Sequence, residues 1–176
     1  MRAAWNAGII DALMANRSSP KTGASAGSPQ SQLNHFLAKY TPAMVKESRA
    51  SMARLRRQVP GAVELVYDNY NALVIGFGPS ERASEAVLSL ALMPRWVTLC
   101  FLQGGPKLPD PDGLLRGSGT TVRNVRLASA ADLDTPAIRT LIGTALERAK
   151  VPIDPTGRRR MVIKSISAKQ RPRRPS

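Results

Sequence analysis

Three short stretches of the chain hold residues that could recognise a ligand. The first is Tyr67-Asp68-Asn69-Tyr70, where two phenols, a carboxylate and an amide gather at the end of an apolar run. The second is the Gly-, Pro- and Asp-rich segment Gln103–Gly119, which closes on Arg116-Gly117-Ser118-Gly119 with Arg123 just behind. Glycines let backbone N–H groups converge on an anion, and flanking guanidiniums can grip it as forks. The third is the C-terminus, where Arg158, Arg159, Arg160, Lys164, Lys169, Arg171, Arg173 and Arg174 follow one another with no acid between them. Such a run binds phosphates by releasing counterions, which is salt-sensitive and indifferent to sequence. It carries no interleaved aromatics on which unstacked bases could sit.

Catalysis has less to work with. His35, the only histidine, stands beside Phe36 on a short amphipathic stretch and reads as solvent-facing rather than as a general base. Cys100 is the only cysteine and alternates within an apolar run, as a core thiol does. The Gly-rich segment lacks the Gly-Lys-Ser/Thr of a phosphate loop, and Val122 stands where a dinucleotide fingerprint needs a third glycine. Asp110 and Asp112 could approach a cation, but two carboxylates between Pro109 and Pro111 do not fill a calcium or magnesium shell. The expectation is a non-enzymatic protein with no catalytic residues, no resident metal and no cofactor.

Those residues need elements to place them. Leu33, Phe36, Leu37 and Tyr40 recur at helical spacing, and Thr41-Pro42 starts a second helix over about Ala43–Val59 with Met44, Met52, Leu55 and Val59 on one stripe. Strands follow at Ala62–Tyr67 and Ala72–Phe77, joined by the turn Asp68–Asn71, and at Glu85–Met93 and Trp96–Leu102, joined by Pro94-Arg95. Thr121–Leu127 reads as a further strand, Asp134-Thr135-Pro136 as the cap of a helix over about Ala137–Lys150, and Met161–Ile166 as a last strand. Two helices, a run of mainly antiparallel strands, a helix and a strand make an α+β layout, with a twisted sheet and the helices packed on it.

Net charge sharpens the picture once it is divided. The total of +14 breaks into +2 for residues 1–32, +5 for 33–60, zero for 61–150, −1 for 151–157 and +8 for 158–176. The sheet region is therefore neutral, and the basic character belongs to one helix and the tail. Residues 1–32 read as a disordered N-terminal segment, with an apolar patch at Trp5, Ile9, Ile10, Leu13 and Met14 interrupted by Asp11. No secretory cleavage site follows that patch, and no stretch reaches the ~20 apolar residues of a membrane span. A single cysteine suits a reducing, cytoplasmic setting. Residues 33–167 form the domain and 168–176 a basic tail.

Three segments taken together resemble a known family. Glu64-Leu-Val-Tyr-Asp-Asn-Tyr70, Leu108-Pro-Asp-Pro-Asp-Gly-Leu-Leu-Arg-Gly-Ser-Gly119 and Lys164-Ser-Ile-Ser-Ala-Lys-Gln-Arg-Pro-Arg-Arg-Pro175 are similar, in order and spacing, to the bacterial YdhG-like family, catalogued as domain of unknown function 1801. The resemblance covers roughly Leu33–Ile166. It implies an antiparallel sheet with helices packed on it, frataxin-like in outline, and for some members a link to intracellular iron. Iron binding of that kind relies on carboxylates along the first long helix. Here Glu47 is the only acid among six basic residues in 33–60, which disfavours an iron chaperone. Thr120 also stands where many relatives carry a lysine.

Two functional readings remain open. One is an anionic partner, nucleic acid or another polyanion, met by Lys169, Arg171, Arg173 and Arg174 with help from the helix at Lys46–Arg57. Removing Ala168–Ser176 should then abolish low-salt retention on RNA or DNA and leave the melting temperature nearly unchanged. The other is a small anionic ligand on the sheet, lined by Tyr67, Asn69, Tyr70, Trp96, Arg116, Gly117, Gly119 and Arg123. The plainer alternatives are a hairpin turn, a strand connection, and a basic end that aids solubility or folds back over an acidic patch of the body.

Overall fold

A computed structural model of the chain describes residues 27–174. Among the described residues the first helix, α1, spans Pro29–Leu37 and begins four residues earlier than the apolar spacing predicts. The Ser28 hydroxyl accepts from the Ser31 N–H at 3.2 Å and Pro29 occupies the first turn, so the cap and not the apolar stripe sets the start. This moves the N-terminal edge of the ordered domain ahead of residue 33. The expectation for residues 1–26 lies outside the described residues. Helix α2, Pro42–Gln58, starts as the sequence predicts, with the Thr41 hydroxyl accepting from the Met44 N–H at 3.3 Å.

Six strands follow: β1 Val63–Asp68, β2 Leu73–Gly78, β3 Leu88–Leu92, β4 Val97–Phe101, β5 Arg123–Arg126 and β6 Arg160–Ile166. They form one sheet in the order β5-β4-β3-β2-β1-β6. Every pair is antiparallel except β1 with β6, which run parallel with a register shift between Val66 and Tyr67. Helix α3, Pro136–Glu147, precedes β6. This is the α+β architecture expected, a mixed sheet with N-terminal helices and one C-terminal helix on it.

Other differences from expectation have local causes, and β5 is shorter than the expected Thr121–Leu127. A 3₁₀ turn at Ala83–Glu85 shortens β3, because the Glu85 carboxylate folds back onto the Ser80 hydroxyl (2.5 Å) and the Arg82 guanidinium (3.3 Å). Thr135 precedes α3, but its hydroxyl donates to the Asp132 carbonyl and so does not cap the helix. That helix ends by Glu147, and the Lys150 N–H is taken by the Gln103 side chain. Gly61, between α2 and β1, has φ +75°, and a Cβ there would meet the Asp154 carbonyl at 1.9 Å. Only glycine lets the chain pass under that loop.

The sheet is apolar on both faces. The three α-helices of the described residues direct their buried residues, among them Leu33, Phe36, Met52, Leu55, Ile138 and Leu141, onto the face formed by Val66, Ile75, Leu90 and Leu99. Both acids of β1 point to this side and are 1% exposed. Glu64 is held bidentately by the Arg56 guanidinium, at 2.8 and 2.6 Å. That fork is the geometry a buried carboxylate requires. Tyr40 closes one end of the same core: its hydroxyl donates to the Leu92 carbonyl (2.7 Å) and accepts from the Leu73 N–H (3.1 Å).

Burial pushes the Tyr40 and Tyr67 phenols up to about 12. Unfolded tyrosines ionise near ~10, so stability holds below that pH and falls as pH rises toward the folded values. Tyr40→Phe should cost roughly 1–3 kcal/mol at neutral pH, because two buried backbone groups lose their partner. The double variant Tyr40→Phe/Tyr67→Phe should lose less stability than the parent on going from about pH 9 to about pH 11. Urea midpoints at the two pH values measure both effects.

Candidate functional site

β1 ends on a buried carboxylate. Asp68 is 1% exposed, and the Lys39 ammonium, at the end of α1, lies 2.6 Å from its Oδ2. Its Oδ1 accepts from the Arg173 guanidinium at 3.3 Å, and Arg173 itself is 3% exposed. Arg173 comes from the basic tail, 105 residues further along. The same guanidinium donates to the carbonyls of Asn69 and Tyr70 and lies 5.8 Å from the Tyr40 ring centroid.

The rest of the tail follows the same path. The Ser167 N–H donates to the Asp68 carbonyl (2.8 Å) and the Arg171 N–H to the Tyr70 carbonyl (2.9 Å). Gln170 bridges, accepting from Lys39 at 2.8 Å and donating to the Asp68 carbonyl at 3.2 Å. The stretch from Ala168 to Arg174 is therefore a strap folded back on the body, not a free arm. Of the plainer alternatives, the fold-back over an acid is the one the structure bears out. The acid is a single buried carboxylate rather than a surface patch.

Docking sorts the four tail cations. Arg173 is buried and committed to Asp68, so it cannot meet a partner. Lys169, Arg171 and Arg174 remain exposed. The Arg171 guanidinium lies 5.5 Å from the ring centroid of Tyr70, which is 47% exposed. Arg174 donates to the Ala38 carbonyl at 3.2 Å. Melting temperature can no longer be expected to survive removal of 168–176, since that deletion would strip Asp68 of one of its two cations.

The ligand set expected on the sheet does not converge. Strand directions put the β1–β2 turn (Asn69, Tyr70) and the β3–β4 turn (Trp96) at one end of the sheet. Arg116, Gly117, Gly119 and Arg123 gather at the other end, where Arg123 pairs with Phe101. A five-residue strand separates the ends by roughly 15 Å. Tyr67 is fully buried on the face away from the helices. Both loop guanidiniums are engaged locally: Arg116 on the Gly113 and Leu115 carbonyls, Arg123 on those of Gly119 and Val122. Asp110 is engaged too, its two oxygens accepting from the Leu114 and Leu115 N–H groups at 2.8 Å each. The long segment is thus a self-satisfied strand connection.

Trp96 helps form a different concavity. A groove of about 330 Å³ is lined by Met44 and Glu47 of α2, Arg95, Trp96 and Val97, and Arg126, Leu127 and Ala128. The Arg126 guanidinium stacks 4.1 Å from the Trp96 ring centroid, and Glu47 Oε1 is buried with no hydrogen-bond partner among the described residues. Sequence reasoning found Trp96 but missed Arg126 and Glu47, which come from β5 and α2. Cys100 is buried, and burial pushes its thiol up to about 12, which keeps it neutral. His35 is exposed with its ring edge-on to Phe36. Among the described residues no group of three or more His, Cys, Asp or Glu is placed to hold a metal ion, and no helix is long and apolar enough to cross a membrane.

Comparisons with family models, with curated proteins and with solved structures returned no match.

Arg173→Ala should undock the strap while Lys39 still neutralises Asp68. Trypsin should then cut after Lys169 markedly faster than in the parent, with the core resistant in both. Asp68→Ala should be the costlier change, by about 3–5 kcal/mol, because it leaves the buried Arg173 guanidinium without its counter-charge.

Proposed function

We propose that the protein is a non-enzymatic binding domain for a polyanion, nucleic acid above all, and that its contact surface is the end of the sheet where the strap is docked. The observation that supports this most is the division of labour within the tail. Asp68 is buried and countered by Lys39 and Arg173. Lys169, Arg171 and Arg174 are thereby held outward on a fixed backbone. Fixing cations in advance removes part of the ordering entropy that a loose basic tail would lose on binding. The strap also supplies what the tail sequence lacks: the exposed Tyr70 ring beside Arg171, a stacking face next to a cation.

Arg95 and Arg126 lie at the same end of the sheet and extend the positive surface toward Trp96. Membership of the YdhG-like family and a cytoplasmic setting belong to this reading. Two of the three segments that carry the resemblance, Glu64–Tyr70 and the described part of the C-terminal one, Lys164–Arg174, join as one physical unit through β1, β6 and the strap. An iron role finds less support, because α2 presents no row of acids.

The triple variant Lys169→Ala/Arg171→Ala/Arg174→Ala leaves Arg173 and the docked backbone in place, so its melting temperature should match the parent. It should leave a heparin or DNA column at lower salt. The slope of log K against log salt should fall by about 2–3, one released counterion per cation removed. An unchanged slope would show that the strap is not the contact. Tyr70→Ala should weaken single-stranded more than double-stranded binding, by about 1–3 kcal/mol for a stacked base.

A further inference from the structure

The face of the sheet away from the helices is apolar, and its side chains are buried. Leu65, Tyr67, Val74 and Ala91 are each 0% exposed, and Cys100 is 3% exposed. Ser89, directly opposite Cys100 in the register, is also 0% exposed. Yet α1, α2 and α3 all bury their stripes on the opposite face. Among the described residues, what this face's apolar cluster adds to the strands is short pieces at its rim, such as Ala83, Ala86, Met93, Trp96, Leu102 and Val122. Strands stand about 4.8 Å apart, so a six-stranded face is roughly 24 Å wide, too broad for rim residues to keep water from its middle. An apolar face of this width needs a layer over it.

We propose that this second face is the docking surface for the chain's own N-terminal segment, Trp5–Met14. Trp5, Ile9, Ile10, Leu13 and Met14 are spaced by four, one, three and one, a pattern that in helical conformation would put them on one side and Asp11 on the other. Ten helical residues are about 15 Å long, enough to lie across three strands. The twelve residues from Ala15 to Ala26 can stretch to about 40 Å, so the tether from Gly27 reaches any part of the sheet. That tether is rich in Ser, Gly, Ala and Pro and brings almost no apolar surface of its own. The apolar residues of Trp5–Met14 are the largest such group outside the described structure.

Cys100, on β4 one strand in from the β5 edge of this face and the only cysteine in the chain, is a built-in reporter. In the full chain it should react slowly with a thiol reagent such as dithionitrobenzoate. In Ile9→Asp/Leu13→Asp, with circular dichroism unchanged over the sheet and helices, it should react at least about tenfold faster. Should that variant fail to fold, a crosslinking series in the full chain decides the question. With Ile9→Cys, Ile10→Cys or Leu13→Cys, mild oxidation should give at least one disulfide to Cys100 that runs as a monomer, and Asp11→Cys should give none. Three results would overturn the proposal: a reactive Cys100 in the parent, an unchanged rate in a folded double-Asp variant, or disulfides found only between two chains. The last would assign the face to a second copy.

Discussion

Placing a carboxylate in an apolar environment costs several kcal/mol unless cations and donors replace its water. Asp68 stands at the end of a strand that is buried along its whole length, so it has no route back to solvent. Its compensation arrives from two distant places, Lys39 at the end of α1 and Arg173 in the basic tail. Those contacts fix the exit of α1 against the sheet and fold residues 168–174 onto the β1–β2 turn. Tyr40, one residue after Lys39, is held to β2 and β3 by the same local geometry. Which tail cations face solvent follows from which one Asp68 has claimed.

Much of the architecture was legible because it depends on local patterns. The runs that became β2, β3 and β4 are apolar and bounded by turn residues, and Thr41-Pro42 announced the start of α2 on cap chemistry alone. Helix α1 was misplaced where Ser28 and Pro29, without apolar residues of their own, determined its first turn. Asp68 and Glu64 did carry a signal: acids alternating with apolar residues in a strand that ends up covered on both faces must find cations. Their partners could not be read, since Arg173 and Arg56 sit in stretches where like charges normally read as solvated. The expected ligand set failed for a geometric reason. Trp96 and the β1–β2 turn lie at one end of the sheet and Arg123 at the other, while Tyr67 is buried on the face away from the helices; strand direction and strand alternation decide this, and no spacing along the chain records it. Arg126 over Trp96 is a cross-strand neighbour relation and was equally invisible.

The charge of the molecule is therefore best understood by depth rather than by count. Arg56 and Arg173 neutralise buried acids and contribute little outward field. Lys169, Arg171 and Arg174 remain exposed on the strap and set the field a partner would meet, on a body whose central 90 residues carry no net charge. A surface of this kind steers anions at low ionic strength and loses its reach within a Debye length of about 8–10 Å in physiological salt.

The parallel pairing of β1 with β6 also constrains the order of events during folding. The hairpins β1–β2, β2–β3 and β3–β4 close over short loops, whereas Val63 meets Arg160 only after roughly a hundred intervening residues have been gathered. Until then β1 is an open, hydrogen-bond-hungry edge of an apolar sheet, the kind of edge on which chains pair with one another. Once β6 is in place the exposed edge carries Arg160 and Lys164 together with the register shift opposite Val66–Tyr67, and these make it a poor template for another strand. The hazard is thus confined to the interval before the last strand docks. In a refolding mixture, aggregation should track the lifetime of that interval more closely than the final stability of the fold.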